Sequence, residues 1–208
     1  MTLHTPKLAA LIASRICHDL ISPVGAISNG LELMSLGGVS DASPELSLIS
    51  ESCSSANARI RLFRIAFGFA NNASRVSETE CRMILDATYA GSRIDVRWNV
   101  SGDLPRQEVQ LAFLALQCLE TTIPHGGQIT CAFEEGTWRL TASGHRVTNP
   151  LYAVWDEMAA LARTDPSDAT ELNFSPAEVQ FAMLPLLAKP MHRAPAVHMG
   201  TEEIVLTV

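Results

Sequence analysis

Leu8, Ile12, Ile16, Leu20, Val24, Ile27, Leu31 and Met34 recur at intervals of three and four along the first segment of the chain. That is the period of one face of an α-helix. Gly37-Gly38 follows the last of them, as expected just past a helix C-terminus. Ser43-Pro44-Glu45 then opens a second helix, with a serine cap, proline in the first turn and an acid near the positive end of the helix dipole. Its seam is Ile49, Cys53, Ala56, Ile60, Phe63, Phe67 and Ala70, an alternation of four and three that marks coiled-coil or four-helix-bundle packing. One hairpin cannot bury two such stripes alone. A dimeric four-helix bundle would complete it, and so would packing on the rest of its own chain; periodicity does not choose between them.

Beyond the small and polar run Asn71-Asn72-Ala73-Ser74 the period changes. Arg93 to Val100 alternates and predicts a strand, and Leu104 to Thr122 predicts an apolar helix beginning at Pro105. Gln128–Glu134 and Thr137–Ser143 predict two strands around the turn Glu135-Gly136. Leu151 to Arg163 and Pro176 to Leu184 predict helices, the second introduced by Ser175-Pro176 and closed by Pro185. His198 to Val208 predicts short strands around Gly200 to Glu203. The fold class is therefore α+β: a helical hairpin over residues 1–75, then residues 76–208 with helices on one face of a mixed or antiparallel sheet.

Composition narrows the partners. The 208 residues are 47% hydrophobic and only 18% charged, so much surface is buried in the fold or at an interface. A formal net charge of −7 disfavours nucleic acid, which needs clustered Lys and Arg to neutralise phosphates; Lys7 and Lys189 are the only lysines. No run of eighteen or more apolar residues occurs, so no membrane span is expected. Nor does the N-terminus have the basic and apolar regions of a signal peptide. The five scattered cysteines, Cys17, Cys53, Cys81, Cys118 and Cys131, read as reduced core residues of a cytoplasmic protein. No Cys or His pair has metal-ligand spacing, so no metal site is expected.

The chemistry concentrates in Ile16–Gly25, ICHDLISPVG. With residues advancing about 100° each, the apolar stripe stays within roughly 80° on one side of Leu20 and 40° on the other. His18 falls at about 160°, on the opposite face, which argues against a core histidine. Ser14, Ser22, Gly25 and Asn29 surround it on that face, with Leu11 about two turns below as an exposed apolar contact. The small residues leave the imidazole open to a flat protein surface. A histidine that is exposed and does nothing fits the same wheel. Pro23 lacks an N–H, so the carbonyl of Asp19 loses its helical partner, and a kink or loosening is expected just beyond the histidine. An imidazole ring nitrogen with a free lone pair is a competent nucleophile. Asp19 is adjacent, but i and i+1 side chains diverge on a helix, so it is expected to meet an incoming partner rather than clamp His18. Cys17 points elsewhere, and no Ser-His-Asp or Cys-His arrangement suggests a hydrolase.

His18, Asp19 and Pro23 resemble the dimerisation and histidine-phosphotransfer helix of sensor kinases: a His, an acid, three free positions, then Pro. The likeness continues through the glycine break, the second heptad helix and the α+β domain. Kinases of that kind bind ATP through an Asn on a helix and through Asp-x-Gly-x-Gly loops. The matching helix and turn here, LALQCLETTIPHGGQIT, end in Pro124-His125-Gly126-Gly127, with Cys118 at the place of the metal-holding Asn. The next signature reads Ala142-Ser143-Gly144-His145-Arg146, with Ala142 in place of the base-reading Asp and the second glycine absent. No glycine-rich lid follows. ATP is therefore not expected.

A kinase-like dimer with a degenerate, Bergerat-type ATPase sandwich resembles the ChpT-type histidine phosphotransferases; ICHDLISPVGAISNGLEL and RLFRIAFG (Arg61 to Gly68) look like that family's two helices. The resemblance implies a homodimer in which His18 takes phosphate from the receiver domain of a hybrid histidine kinase. It passes it on to response regulators, among them a cell-cycle regulator of the CtrA type and single-domain receivers. No cofactor is implied, since the magnesium belongs to the receiver. The implied roles are His18 as phospho-acceptor, Asp19 orienting the receiver's active site or assisting proton movement, and Ser22 where kinases position water for a phosphatase reaction. Arg15, Arg61 and Arg64 are candidate contacts for an acidic receiver, or else solvated helix charges. Two other readings are an active sensor-kinase core and a non-catalytic dimeric adaptor that only binds receivers.

Overall fold

In a computed structural model of the chain, the two N-terminal amphipathic segments are helices α1 (His4–Gly37) and α2 (Pro44–Ala66), packed side by side as a hairpin. The structure describes residues 4–37, 44–70, 73–144, 152–164, 173–200 and 202–208. The Gly38 break, the Ser43 cap, Asn71-Asn72 and His145-Arg146 lie outside them. Pro23 does not end α1, which continues to Gly37; the single backbone hydrogen bond it removes is outweighed by the turns on either side. The helices approach closely at Gly30, which is buried and where a Cβ would meet Ile49 Cγ1 at 2.6 Å.

The second part is built on a five-stranded sheet in the order β2-β4-β5-β7-β6. Its strands are β2 (Ile94–Asn99), β4 (Gly127–Glu134), β5 (Thr137–Ser143), β6 (Ala196–Met199) and β7 (Glu203–Thr207). β2 and β4 are parallel and the other pairs antiparallel, so the sheet is mixed. A separate short ladder joins β1 (Arg75–Val76) to β3 (Leu104–Pro105). Glu134 and Thr137 close the β4–β5 hairpin. Its two turn residues, Glu135 and Gly136, both have positive φ, which is the conformation whose twist matches paired strands. Along β5 Trp138, Leu140 and Ala142 are buried, while Thr137, Arg139 and Ser143 are exposed, so one face of the sheet carries the core.

Helix α4 (Arg106–Glu120) lies on that face and is buried at every position from Glu108 to Leu119. Helix α3 (Glu78–Tyr89) packs on β2, α6 (Val179–Ala188) on α4, and α5 (Tyr152–Arg163) on α6. Two elements depart from the sequence reading. The sequence pattern predicts no element over 76–92, yet that stretch holds α3, capped by Ser77, whose hydroxyl accepts from the Glu80 amide at 3.1 Å. And α6 does not stop at Pro185: that residue is inside the helix and buried, as is Ala188 beyond it. Packing of a helix that is apolar except for Gln180 on α4 outweighs the proline penalty of about 3 kcal/mol.

Where the hairpin meets this domain, Leu62, Phe63, Ile65 and Ala66 of α2 join the same core as α4 and the sheet. Leu8, Leu11, Ile12 and Ile16 of α1 pack against it. Of the expected α2 seam, Ala56 and Phe63 are buried and Ile60 is exposed, while Leu62 and Ile65 outside it are buried where α3 and α4 pack. Packing on its own chain thus accounts for the root of the hairpin only. Farther out, Ile21, Val24, Leu31, Leu33, Leu46 and Leu48 stay exposed. By length and composition alone, Pro6–Met34 is apolar enough to cross a membrane, contrary to the reading from unbroken apolar runs; Arg15 and Asp19 lie within that stretch and pair with each other.

Candidate functional site

His18 stands on the outer face of α1 with 84% of its side chain exposed. Ser14, Ser22, Gly25 and Asn29 are exposed around it, and a Cβ placed on Gly25 would meet nothing within 4 Å. The approach to the ring is open and low, as the helical wheel predicts.

Asp19 departs from its expected placement. Its Oδ1 lies 3.1 Å from His18 Nδ1, so the two neighbours touch although their Cα–Cβ bonds diverge. Asp19 is only 10% exposed, because two guanidiniums hold its other oxygen. Arg15 Nε, one turn back, lies 3.0 Å from Oδ2 as an ion pair whose N–H is not aimed along that line. Arg59 Nη1 of α2 lies 3.6 Å from the same atom. The carboxylate is thus placed to clamp the imidazole rather than to greet a partner.

Two expected surface contacts are likewise drawn inward. Arg15 is largely covered, and its Nη1 donates to the Ala177 carbonyl at 2.8 Å, in the short 3₁₀ turn Pro176–Glu178 that leads into α6. Leu11 is half-buried against the core instead of exposed. Arg61 is exposed as expected. Arg64 is two-thirds exposed and lies 3.8 Å from Glu80 of α3.

Behind Asp19, at the junction of hairpin and α+β domain, is a cavity of about 330 Å³ lined by Arg15, Asp19, Arg59, Tyr89, Gln117 and Glu120 among others. Tyr89 Oη donates to Glu120 Oε2 at 3.1 Å. Burial pushes the Glu120 carboxyl above the ordinary glutamate range, while Tyr89, Arg15 and Arg59 pull it back. Burial beside the Glu120 charge pushes the Tyr89 phenol well up, so it remains a donor. Sequence reasoning missed Arg59, Tyr89 and Glu120: each sits on a different element from His18, and none has a local motif. The loop that closes this corner needs Gly126, with φ +97 and the Arg93 carbonyl 2.4 Å from where a Cβ would stand.

At Cys118 and Ala142 the side chains are fully buried, and burial holds the Cys118 thiol well above its ordinary range and so protonated. Chemically, the exposed centre offers the His18 imidazole as a nucleophile, beside the exposed thiol of Cys17. With Asp19 accepting from Nδ1–H, the ring proton is held on that nitrogen and the Nε2 lone pair is left facing solvent.

Residues 78–203 match the model of the histidine phosphotransferase C-terminal domain family. Over its whole length the chain is 30% identical to the protein phosphotransferase ChpT of Brucella abortus (strain 2308), covering 97% of that protein. A solved bacterial phosphotransferase superposes with a TM-score of 0.80 at 29% identity, over 100% of this chain and 98% of that one. The histidine kinase domain of a blue-light activated kinase from Erythrobacter litoralis is a more distant likeness, with a TM-score of 0.43 at 14% identity, over 97% of this chain and 91% of that one. The chain belongs to the ChpT-type histidine phosphotransferase family.

Proposed function

We propose that this phosphorelay phosphotransferase carries the phosphoryl group on His18 Nε2, taking it from an aspartyl phosphate on one receiver domain and giving it to the aspartate of another. The observation that carries this is the Nδ1 contact to Asp19 on a ring otherwise open to solvent. The Nε2 lone pair attacks phosphorus, the N–P bond forms, and the P–O bond to the donor carboxylate breaks, which leaves as a free carboxylate. The ring gains positive charge as the bond forms, and Asp19, bonded to Nδ1–H, offsets it. Transfer to the acceptor aspartate runs the same step backwards. Magnesium is supplied by the receiver, and this chain contributes the nucleophile, its clamp and a docking face that includes Ser14, Ser22, Gly25, Asn29, Arg61 and Arg64. Ser22, one turn on from His18 and exposed, would position water for a weak phosphatase reaction.

The partners that fit are the receiver of a hybrid histidine kinase and receivers of the CtrA and single-domain types, met in the cytoplasm. The exposed apolar stripe of Ile21, Val24 and Leu31 on α1 supports a homodimeric four-helix bundle, since a second hairpin would cover it. ATP does not fit the residues present: Cys118 offers an enclosed, protonated thiol and Ala142 a methyl group where a nucleotide site needs a metal-holding amide and a base-reading carboxylate.

The direct test incubates the purified protein with a receiver phosphorylated on aspartate. Wild type should become labelled and His18→Ala should not. Equal labelling of the two would overturn the assignment.

A further inference from the structure

Around the cavity behind His18, four helices bring charged and polar groups together. Helix α1 contributes Arg15 and Asp19, α2 contributes Arg59, α3 contributes Tyr89 and α4 contributes Glu120; Arg93, just before β2, stands at the exposed rim. Asp19 Oδ2 lies within 3.0 Å of Arg15 and 3.6 Å of Arg59. Glu120 is attracted by the same two guanidiniums, repelled by Asp19, and tethered by the Tyr89 hydroxyl at 3.1 Å. Arg15 and Arg59, which pair with Asp19, thus line the same cavity as Glu120, and Asp19 in turn contacts the His18 ring.

We propose that Glu120 is a positioning residue for the His18 centre: by drawing on Arg15 and Arg59 from the far side, it sets how strongly Asp19 accepts from His18 Nδ1–H. This rests on the reading of His18 Nε2 as the nucleophile. A carboxylate whose lone pairs face two cations alone is a weaker acceptor towards a third group than one whose cations are shared, because their field is spread over two anions. With Glu120 ionised the cluster of Arg15, Arg59, Asp19 and Glu120 is neutral, and Asp19 keeps acceptor strength for the imidazole. Without that charge the cluster carries one excess positive charge next to a ring that must itself become positive during transfer. Removing an arginine together with Glu120 restores neutrality, so the two changes should compensate rather than add.

The measurement is the tautomer of His18, read from its ring ¹⁵N shifts at a pH where the imidazole is neutral, alongside the rate of transfer from a phosphorylated receiver. Wild type should hold its proton on Nδ1. Glu120→Gln, an isosteric change that keeps an acceptor for Tyr89, should move population to the Nε2–H form. It should also slow transfer by about threefold to thirtyfold, within the range of couplings between residues of one network. Arg59→Gln alone should keep the Nδ1–H form, and Glu120→Gln with Arg59→Gln should return both readings to within about twofold of wild type. A purely structural role for Glu120 predicts instead that the double variant is worse than either single one. That result, or a Glu120→Gln protein indistinguishable from wild type, would overturn the proposal. Should Glu120→Gln fail to fold, Tyr89→Phe keeps every charge while removing the donor that helps Glu120 stay ionised. It should shift the tautomer the same way by less, and no shift would count against the proposal. The tautomer reading needs no phosphoryl donor. Labelling that persists in His18→Ala would therefore reject the nucleophile while leaving the role of Glu120 in the cluster separately measured.

Discussion

Asp19→Asn preserves size and removes only the charge that faces His18. As phosphorus bonds to Nε2 the ring becomes cationic, and its Nδ1 stands 3.1 Å from Asp19 Oδ1. Unit charges about 4 Å apart attract by about 1 kcal/mol in water and about 4 kcal/mol at an effective dielectric of 20. The pair straddles those limits, with the imidazole 84% exposed and the carboxylate 10% exposed. The wet side of the pair dominates, which places the lost stabilisation at about 1–2 kcal/mol, or roughly five- to thirtyfold in rate. The assay is rapid-quench transfer from a ³²P-labelled phosphorylated receiver under single-turnover conditions, with receiver concentration varied to separate docking from chemistry. The loss should appear in the maximal rate rather than in the concentration for half-maximal rate, because Asp19 is only 10% exposed beneath Arg15 and Arg59 and offers little surface for docking. A rate within twofold of wild type, or a loss confined to docking, would refute the clamp.

Glu120→Gln should also change stability with a definite sign. Burial raises the folded carboxyl above its ordinary value, so the folded state binds that proton more tightly than the unfolded chain. The stability this contributes is present below the unfolded value and lost as pH rises through the folded one. Thermal melts should therefore show Glu120→Gln at least as stable as wild type above neutrality, with its advantage shrinking into the acid range. In the α+β core, Glu108 is nearly buried, paired by Arg193 through two bonds of 2.8 Å, and receives Trp138 Nε1–H at 3.1 Å. Arg193→Met strands that carboxylate, and urea unfolding should show a loss of about 3 kcal/mol, whereas replacing Glu108 and Arg193 together by apolar residues should cost less. Ile21→Lys, on the exposed hairpin face, should shift sedimentation from dimer to monomer without unfolding α4 or the sheet; an unchanged sedimentation coefficient would count against the bundle.

The helices and strands that have a simple period were legible before any coordinates. The α1 stripe, the β4–β5 turn at Glu135-Gly136 and the exposed face of His18 all follow from rules that act within a few residues. Helix α3 was not, because only Cys81, Ile84 and Leu85 of its residues are buried and its clearest signal is a single capping serine. Pro185 misled for the opposite reason: a local breaker lost to burial against α4, which no local pattern reports. The site divides the same way. Face and exposure come from the helix period, but the contact between His18 and Asp19 depends on Arg59, forty residues away in sequence, and on Arg15 being drawn to Ala177. Long side chains choose among partners that only tertiary packing brings within reach, and a wheel assigns them to solvent by default.

The bond from Arg15 to the Ala177 carbonyl, with Leu8, Leu11, Ile12 and Ile16 seated on the common core, has a consequence for how a receiver meets this molecule. A domain that must carry a nucleotide to the histidine needs freedom to swing towards it and away again. Here α1 and the α+β unit are joined at their root, so the face that carries His18 keeps one position relative to that unit. A visiting receiver meets both in a single arrangement, without first having to wait for a second part to swing into place. The cost of association that loose parts impose is then met during folding, once, rather than at every exchange. The weld turns what would be a moving tool into a berth, and its rigidity should make one orientation of approach serve donors and acceptors alike.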